Sequence, residues 1–135
     1  GYTSALLASV EERLEFAIPN VPVVSLADLV LEWFPVNLSI KAMLKATGTS
    51  IRDIRHELAV HSALTYQPRL PRERLMVIAG AGDRLAPPKH ARLLWDHWDR
   101  PRIHWFPGNH LVHLDKGKYL KEMARFMKDI EFDRM

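Results

Sequence analysis

Residues 105–114 read Trp105-Phe106-Pro107-Gly108-Asn109-His110-Leu111-Val112-His113-Leu114, WFPGNHLVHL, and the fold turns on how they are interpreted. A short apolar run stops at a Pro-Gly turn, and an imidazole stands at the turn's exit. Upstream, Leu75-Met76-Val77-Ile78-Ala79-Gly80-Ala81-Gly82-Asp83 repeats the device, with an apolar run broken by glycines that delivers a carboxylate. Runs of this length, apolar and broken by glycine, suit short strands. The pattern predicts strands over Arg74 to Ala79 and over Arg102 to Phe106. Between them a helix begins at Pro87-Pro88 and buries Ala91, Leu94, Trp95 and Trp98. Strand, helix, strand predicts a parallel pair joined by a right-handed crossover, whose loops emerge past the carboxyl ends at one rim. Asp83 and His110 are therefore expected side by side. A last amphipathic helix is expected from Asp115, with Tyr119, Leu120, Met123, Ala124, Phe126, Met127 and Ile130 facing inward.

The first part of the chain supplies the flank. Thr3 to Leu14 reads as a helix whose small-residue face, Ala5, Leu6, Ala8, Ser9, Val10 and Leu14, suits close packing on a sheet. Residues 16–18 and 21–24 read as a short extended segment that Pro19 and Pro22 keep from becoming a long strand. Ser25-Leu26-Ala27-Asp28 predicts a capping box that opens a helix running to about Phe34, where Pro35 stops it. A second helix is expected over Leu38 to Ala46, ending at Gly48, and Ser50 to Asp53 predicts the cap of a third with Ile54, Leu58 and His61 on one side. Ser25 to Tyr66 is thus all helix, an insertion expected over one end of the sheet. The predicted organisation is 1–24, a helix and strand; 25–66, a helical cap; and 67–135, the segment that carries acid and histidine.

Bulk composition excludes several functions. The chain has 135 residues, about one domain, with 47% hydrophobic and 26% charged residues, which fits a folded α/β unit and not a disordered chain. Its 19 basic and 16 acidic residues are interspersed, so a net charge of +3 implies no basic patch and no nucleic-acid partner. Without cysteine there is no disulfide, thiolate nucleophile or cysteine-bound metal. The most apolar segment, Ala17 to Val36, is interrupted by Pro19, Pro22, Asp28 and Glu32, so no membrane span is expected. No signal-peptide order is visible, and the compartment is left open. The chain opens inside a helical pattern without an initiator Met and reads as a piece of something longer.

A carboxylate bonded to one imidazole nitrogen fixes the tautomer and leaves the other nitrogen to act as base toward a hydroxyl. Asp83 and His110 supply that chemistry. With these residues in view, VIAGAGDRLAPPKH, residues 77–90, and FPGNHLVHL, residues 106–114, resemble the acid strand and histidine loop that end an α/β-hydrolase. The order of acid before histidine agrees with that family. Gly1-Tyr2-Thr3-Ser4-Ala5-Leu6-Leu7-Ala8 resembles the helix after the family's nucleophile elbow, G-x-S-x-G, with Gly1 in place of the glycine that follows the serine. The resemblance implies a C-terminal portion of a serine hydrolase that cleaves small-molecule acyl esters through an acyl-enzyme, with no cofactor. It implies Asp83 and His110 as catalytic residues, a serine and an oxyanion hole outside these residues, a missing N-terminal half as partner, and an inactive isolated chain. The helical block 25–66 would be the variable cap that shapes substrate choice.

Other readings carry less. Asp115 competes with Asp83 as the acid but suits a helix cap better. His113 with His90, His97 and His104 suggests metal, yet His-x-x-His lies in a loop here with no acidic ligand set. Ala79 to Asp83 has glycines like a dinucleotide loop, but Leu85 stands where its third glycine belongs. Trp95, Trp98 and Trp105 are expected to pack on the sheet. Trp33 and Phe34 are left open between an acyl pocket and a plain helix contact. The alternative function is a noncatalytic fragment or interaction domain, with its sheet edge covered by another copy, a homo-oligomer, or by a missing half.

Overall fold

The two apolar runs pair as parallel neighbours. In the computed structural model, which describes residues 1–134, β1 (Met76–Gly80) lies beside β2 (Arg102–Phe106), with Met76 opposite Arg102 and Gly80 opposite Phe106. Every residue of β1 is buried, as its unbroken apolar run requires. Successive side chains on a strand point to opposite faces, so β1 feeds two cores. Val77 and Ala79 join Ala91 and Leu94 from the crossover helix α5 (Pro88–His97), which starts with proline at its first position, and Trp98 just past its end. Met76 and Ile78 join Phe106 and Phe126, with Met123 and Met127, from α6 (Lys118–Asp129) on the opposite face. The sheet is the middle of three layers.

A third strand-like segment runs parallel on the free side of β1. Ala17 bridges Leu75 and Asn20 bridges Ile78, through Met76 N–H to Ala17 O at 3.0 Å and Val21 N–H to Ile78 O at 2.8 Å. Pro19 has no N–H to give the ladder, and Val21 bends away at φ 46°, so two isolated bridges replace a continuous strand.

The flanking helices depart from the sequence expectation in their ends. α1 (Tyr2–Val10) buries Ala5, Ala8 and Ser9 but stops at Val10, which is exposed, four residues short of Leu14. There the Glu11 carboxylate takes the Arg13 backbone and guanidinium N–H groups at 2.9 Å and closes a local turn in competition with the helix. α2 (Leu26–Glu32) is capped by Ser25, whose hydroxyl accepts the Asp28 N–H at 3.3 Å. The return half of that box is not made, because Asp28 gives its oxygens to the Ser25 hydroxyl and to Arg55. α2 ends at Glu32, short of Phe34, which precedes proline and so disfavours the helical region. α3 (Val36–Thr47) closes on Gly48 at φ 68°, and Ser50 and Asp53 make the full reciprocal box before α4 (Ile51–Glu57). Two 3-10 turns, Ala59–His61 and Ala63–Thr65, complete the helical block. α3 and α4 bury no residue; α2 and Ala63 attach the block to the rest.

α6 starts at Lys118 behind Gly117, not at Asp115. The Asp115 carboxylate reaches forward instead, accepting the Gly117 N–H at 3.1 Å and the Tyr119 N–H at 2.9 Å. Leu120 and Ala124, expected to face inward, are exposed, whereas Phe126 is fully buried. Phe126→Ala should therefore cost about 3–5 kcal/mol of unfolding free energy. Leu120→Ala should cost about 0.5 kcal/mol or less, its side chain being surface-exposed. Urea denaturation of both variants checks this, and equal losses would show the helix to be turned the other way.

Candidate functional site

The turn that follows β1 is fastened to the turn that follows β2. Ala81 N–H donates to Phe106 O and Gly82 N–H to Gly108 O, both at 3.0 Å. This approach leaves no room for side chains: a Cβ on Gly82 would lie 2.7 Å from Gly108 O, and one on Gly80 2.9 Å from the Phe106 ring. The glycines that look like a nucleotide loop serve strand-to-turn packing. Beyond them Asp83 turns inward with its side chain fully buried. Its Oδ1 accepts the backbone N–H groups of Leu85 at 2.9 Å and Ala86 at 2.8 Å. Its Oδ2 lies 2.8 Å from Nδ1 of His110.

His110 sits on a loop with little freedom. Gly108 has φ 128° and its missing Cβ would stand 2.0 Å from Val112 O, so only glycine opens this loop. Asn109 then closes it, donating its N–H to Val112 O at 3.0 Å while its Oδ1 accepts the N–H groups of Leu111 and Val112 at 3.0 and 2.9 Å. Leu114 N–H donates to Pro107 O at 2.8 Å, and His113 stacks on Phe106 with centroids 3.8 Å apart. His113 thus pins the loop's far leg.

A buried carboxylate that accepts from two amides on one oxygen has its other oxygen available for one more donor, and Nδ1–H of His110 fits that position. The second ring nitrogen, Nε2, has no hydrogen-bond partner among the described residues, and the His110 side chain keeps 35% of its surface exposed. Such an imidazole can accept a proton from a group outside and hold the resulting charge against Asp83. The site opens on a concavity of about 430 Å³ lined by Gly82, Arg84, Leu85, Asn109, His110 and Leu111.

His90 and His97 lie apart from this pair and have other contacts. His90 is fully buried and accepts the Val24 N–H on Nδ1 at 3.2 Å; burial lowers its pKa, and Glu32, 3.5 Å from Nε2, partly offsets that. His97 Nε2 contacts Tyr66 O at 2.6 Å. No group of three metal-ligating side chains occurs among the described residues. Trp33 donates its indole N–H to Leu85 O at 3.1 Å, which ties the helical block to the acid turn, while Phe34 is 79% exposed. Trp95 donates to Pro101 O, Arg92 lies over Trp105, and Trp98 is buried in the core.

A second acid–histidine pair was not foreseen. His104 Nε2 lies 3.0 Å from Asp115 Oδ2. Burial pushes the Asp115 carboxyl up, but the His104 contact and the N–H groups of Tyr119 and Gly117 outweigh it and hold it below the ordinary carboxylate range. The period-2 alternation of Arg102, His104 and Phe106 is the signal that could have found it, since it aims His104 at the face that receives α6.

Two outcomes follow from these contacts. In Asp83→Asn the amide oxygen can keep the Leu85 and Ala86 bonds while its NH2 faces Nδ1, so nitrogen-15 NMR should show His110 moving from the Nδ1–H to the Nε2–H tautomer; an unchanged tautomer would refute the assigned contact. Asp115 has a depressed folded pKa, so its contribution to stability is present above the unfolded value of about 4 and is lost as pH falls through the folded one. The denaturation midpoint gap between the native chain and Asp115→Asn should accordingly shrink from pH 7 to about pH 3. A gap that widens on acidification would contradict the pairing.

No family model matches the chain. Two curated proteins of Mycobacterium tuberculosis are 35% identical to it over 111 residues: uncharacterized protein Rv2627c of strain ATCC 25618 / H37Rv and uncharacterized protein MT2702 of strain CDC 1551 / Oshkosh. The match covers 82% of this chain and 26% of each relative, so the chain spans about a quarter of their length. Among solved structures, the candidate non-heme bromoperoxidase BpoC of Mycobacterium tuberculosis H37Rv superimposes with a TM-score of 0.52 at 14% identity, over 95% of this chain and 63% of that one. BpoC has the α/β-hydrolase fold, and the likeness shows the same fold in this chain, a mixed α/β unit around a small parallel sheet.

Proposed function

We propose that Asp83 and His110 are the acid and base of a Ser-His-Asp hydrolase, acting on a serine outside these 135 residues, and that the reaction is acyl ester hydrolysis through an acyl-enzyme. His110 Nε2 takes the serine proton as the hydroxyl oxygen attacks the ester carbonyl. The imidazolium formed is held by Asp83 and returns the proton to the leaving alkoxide. A water then repeats the cycle on the acyl-enzyme, with His110 again as base, and frees the acid.

The observation that carries this reading is the 2.8 Å contact between a fully buried carboxylate and a half-open imidazole at the carboxyl edge of the sheet. Gly1 adds to it. A Cβ there would lie 2.2 Å from Asn20 O, so the start of α1 is pressed against the segment beside β1, as the glycine closing a nucleophile elbow would be. The helical block 25–66 is the cap in this reading, joined to the acid turn through Trp33.

A noncatalytic interaction module is the competing reading. α3 buries no residue and carries exposed Val36, Leu38 and Met43 near exposed Phe34, and this exposed apolar surface favours a covering partner for the helix.

Activity assays separate the two. In the longer protein, His110→Ala should lower kcat on a nitrophenyl ester by roughly 10⁴-fold or more, with KM changed far less. The isolated 135-residue chain should be inactive. Full turnover in the His110→Ala protein would end the hydrolase assignment, and turnover by the isolated chain would end the claim that its serine lies elsewhere.

A further inference from the structure

We infer that the concavity beside the dyad is a subsite for a carboxylate, so that the esters taken by this site carry a negative charge on the group seated there. The substrate statement rests on the dyad reading of the preceding section; the binding statement does not need turnover. The acid turn forms one wall through Gly82, Arg84 and Leu85, and the histidine loop forms the other through Asn109, His110 and Leu111. The bond from Gly82 N–H to Gly108 O holds the two walls at fixed separation.

The charge inside is unbalanced. Asp83 is fully buried and accepts three donors on its two oxygens, and Arg84 is not among them. Arg84 makes no hydrogen bond, ion pair or ring contact among the described residues. Most other arginines are engaged, among them Arg55 with Asp28, Arg100 with Asp96, Arg102 with Asp129, Arg125 with Glu122, and Arg92 over Trp105; Arg52 also makes no such contact among the described residues, but it does not line the concavity. A guanidinium left without an acid next to a reactive imidazole marks where an anion would be accepted.

A second donor belongs to Asn109, which lines the same space. Its Oδ1 is committed to the Leu111 and Val112 N–H groups, which leaves its NH2 with no partner among the described residues. One fork of guanidinium donors plus one amide donor suits a monoanionic carboxylate, whereas a phosphate dianion would call for more cationic charge. Leu85 and Leu111, the latter 83% exposed, give the rest of the wall an apolar surface for a short carbon chain between the carboxylate and the ester. An exposed pair of this kind is weak, so affinity in the millimolar range is expected.

The test follows the amide resonances of Gly82, Leu85 and Leu111 in this chain while monomethyl glutarate, or its uncharged counterpart methyl butanoate, is added. The charged ester should give saturable shifts, and methyl butanoate should bind at least about tenfold more weakly. Arg84→Gln should weaken the charged ester by about tenfold, while Arg52→Gln, which removes an unpartnered arginine on α4 that does not line the concavity, should leave it unchanged. His110→Ala should still bind it. Equal binding of the two esters, no saturable shift, or native affinity in Arg84→Gln overturns the subsite. Retained, Arg84-dependent binding in a longer protein that cleaves no ester would keep the subsite and overturn the hydrolase reading instead.

Discussion

The structure depends on the closeness of two turns. Gly82 N–H reaches Gly108 O across a gap in which a single methyl group on Gly82 would stand 2.7 Å from that oxygen. Parallel pairing of β1 with β2 brings the chain ends to one rim, but pairing alone fixes neither side chain. The turn-to-turn bond carries the register of the strands into the loops, so the carboxylate and imidazole inherit the precision of the sheet. Loss of that bond would leave both residues at the rim without joining them.

Asp83 illustrates how a buried charge is made tolerable. Removing a carboxylate from water is expensive unless its lone pairs are met, and here two backbone amides and one imidazole meet them. The amides belong to Leu85 and Ala86, in the same turn, so the turn folds around the charge. His110 is the one donor that is not local. Its position comes from Gly108 and Asn109, which close a loop that His113 anchors on Phe106.

Much of this was legible in the sequence because it is written in local patterns. β2 falls on its predicted bounds, and β1 starts two residues and ends one residue later than predicted; each leads into a turn that contains glycine. The Asp83 and His110 juxtaposition follows from chain order and crossover geometry. What was not legible depended on where side chains spend their hydrogen bonds. Asp115 looks like a cap from its spacing, yet His104 across the chain claims one of its oxygens and α6 starts later. Asp28 looks like half of a capping box, yet Arg55 takes its carboxylate. α1 ends early because Glu11 and Arg13 bond to each other, a competition that helical periodicity does not register.

The Trp33 indole that donates to Leu85 O binds the helical block to the peptide whose neighbouring N–H holds Asp83. Exchange of this block for one of different length or composition is therefore not a change confined to the block itself. A replacement without an indole or equivalent donor at that point would leave the Leu85 carbonyl to water and remove the direct link between the block and the acid turn. Chimeras that vary residues 25–66 are constrained to keep this joint beside the attachments made by α2 and Ala63.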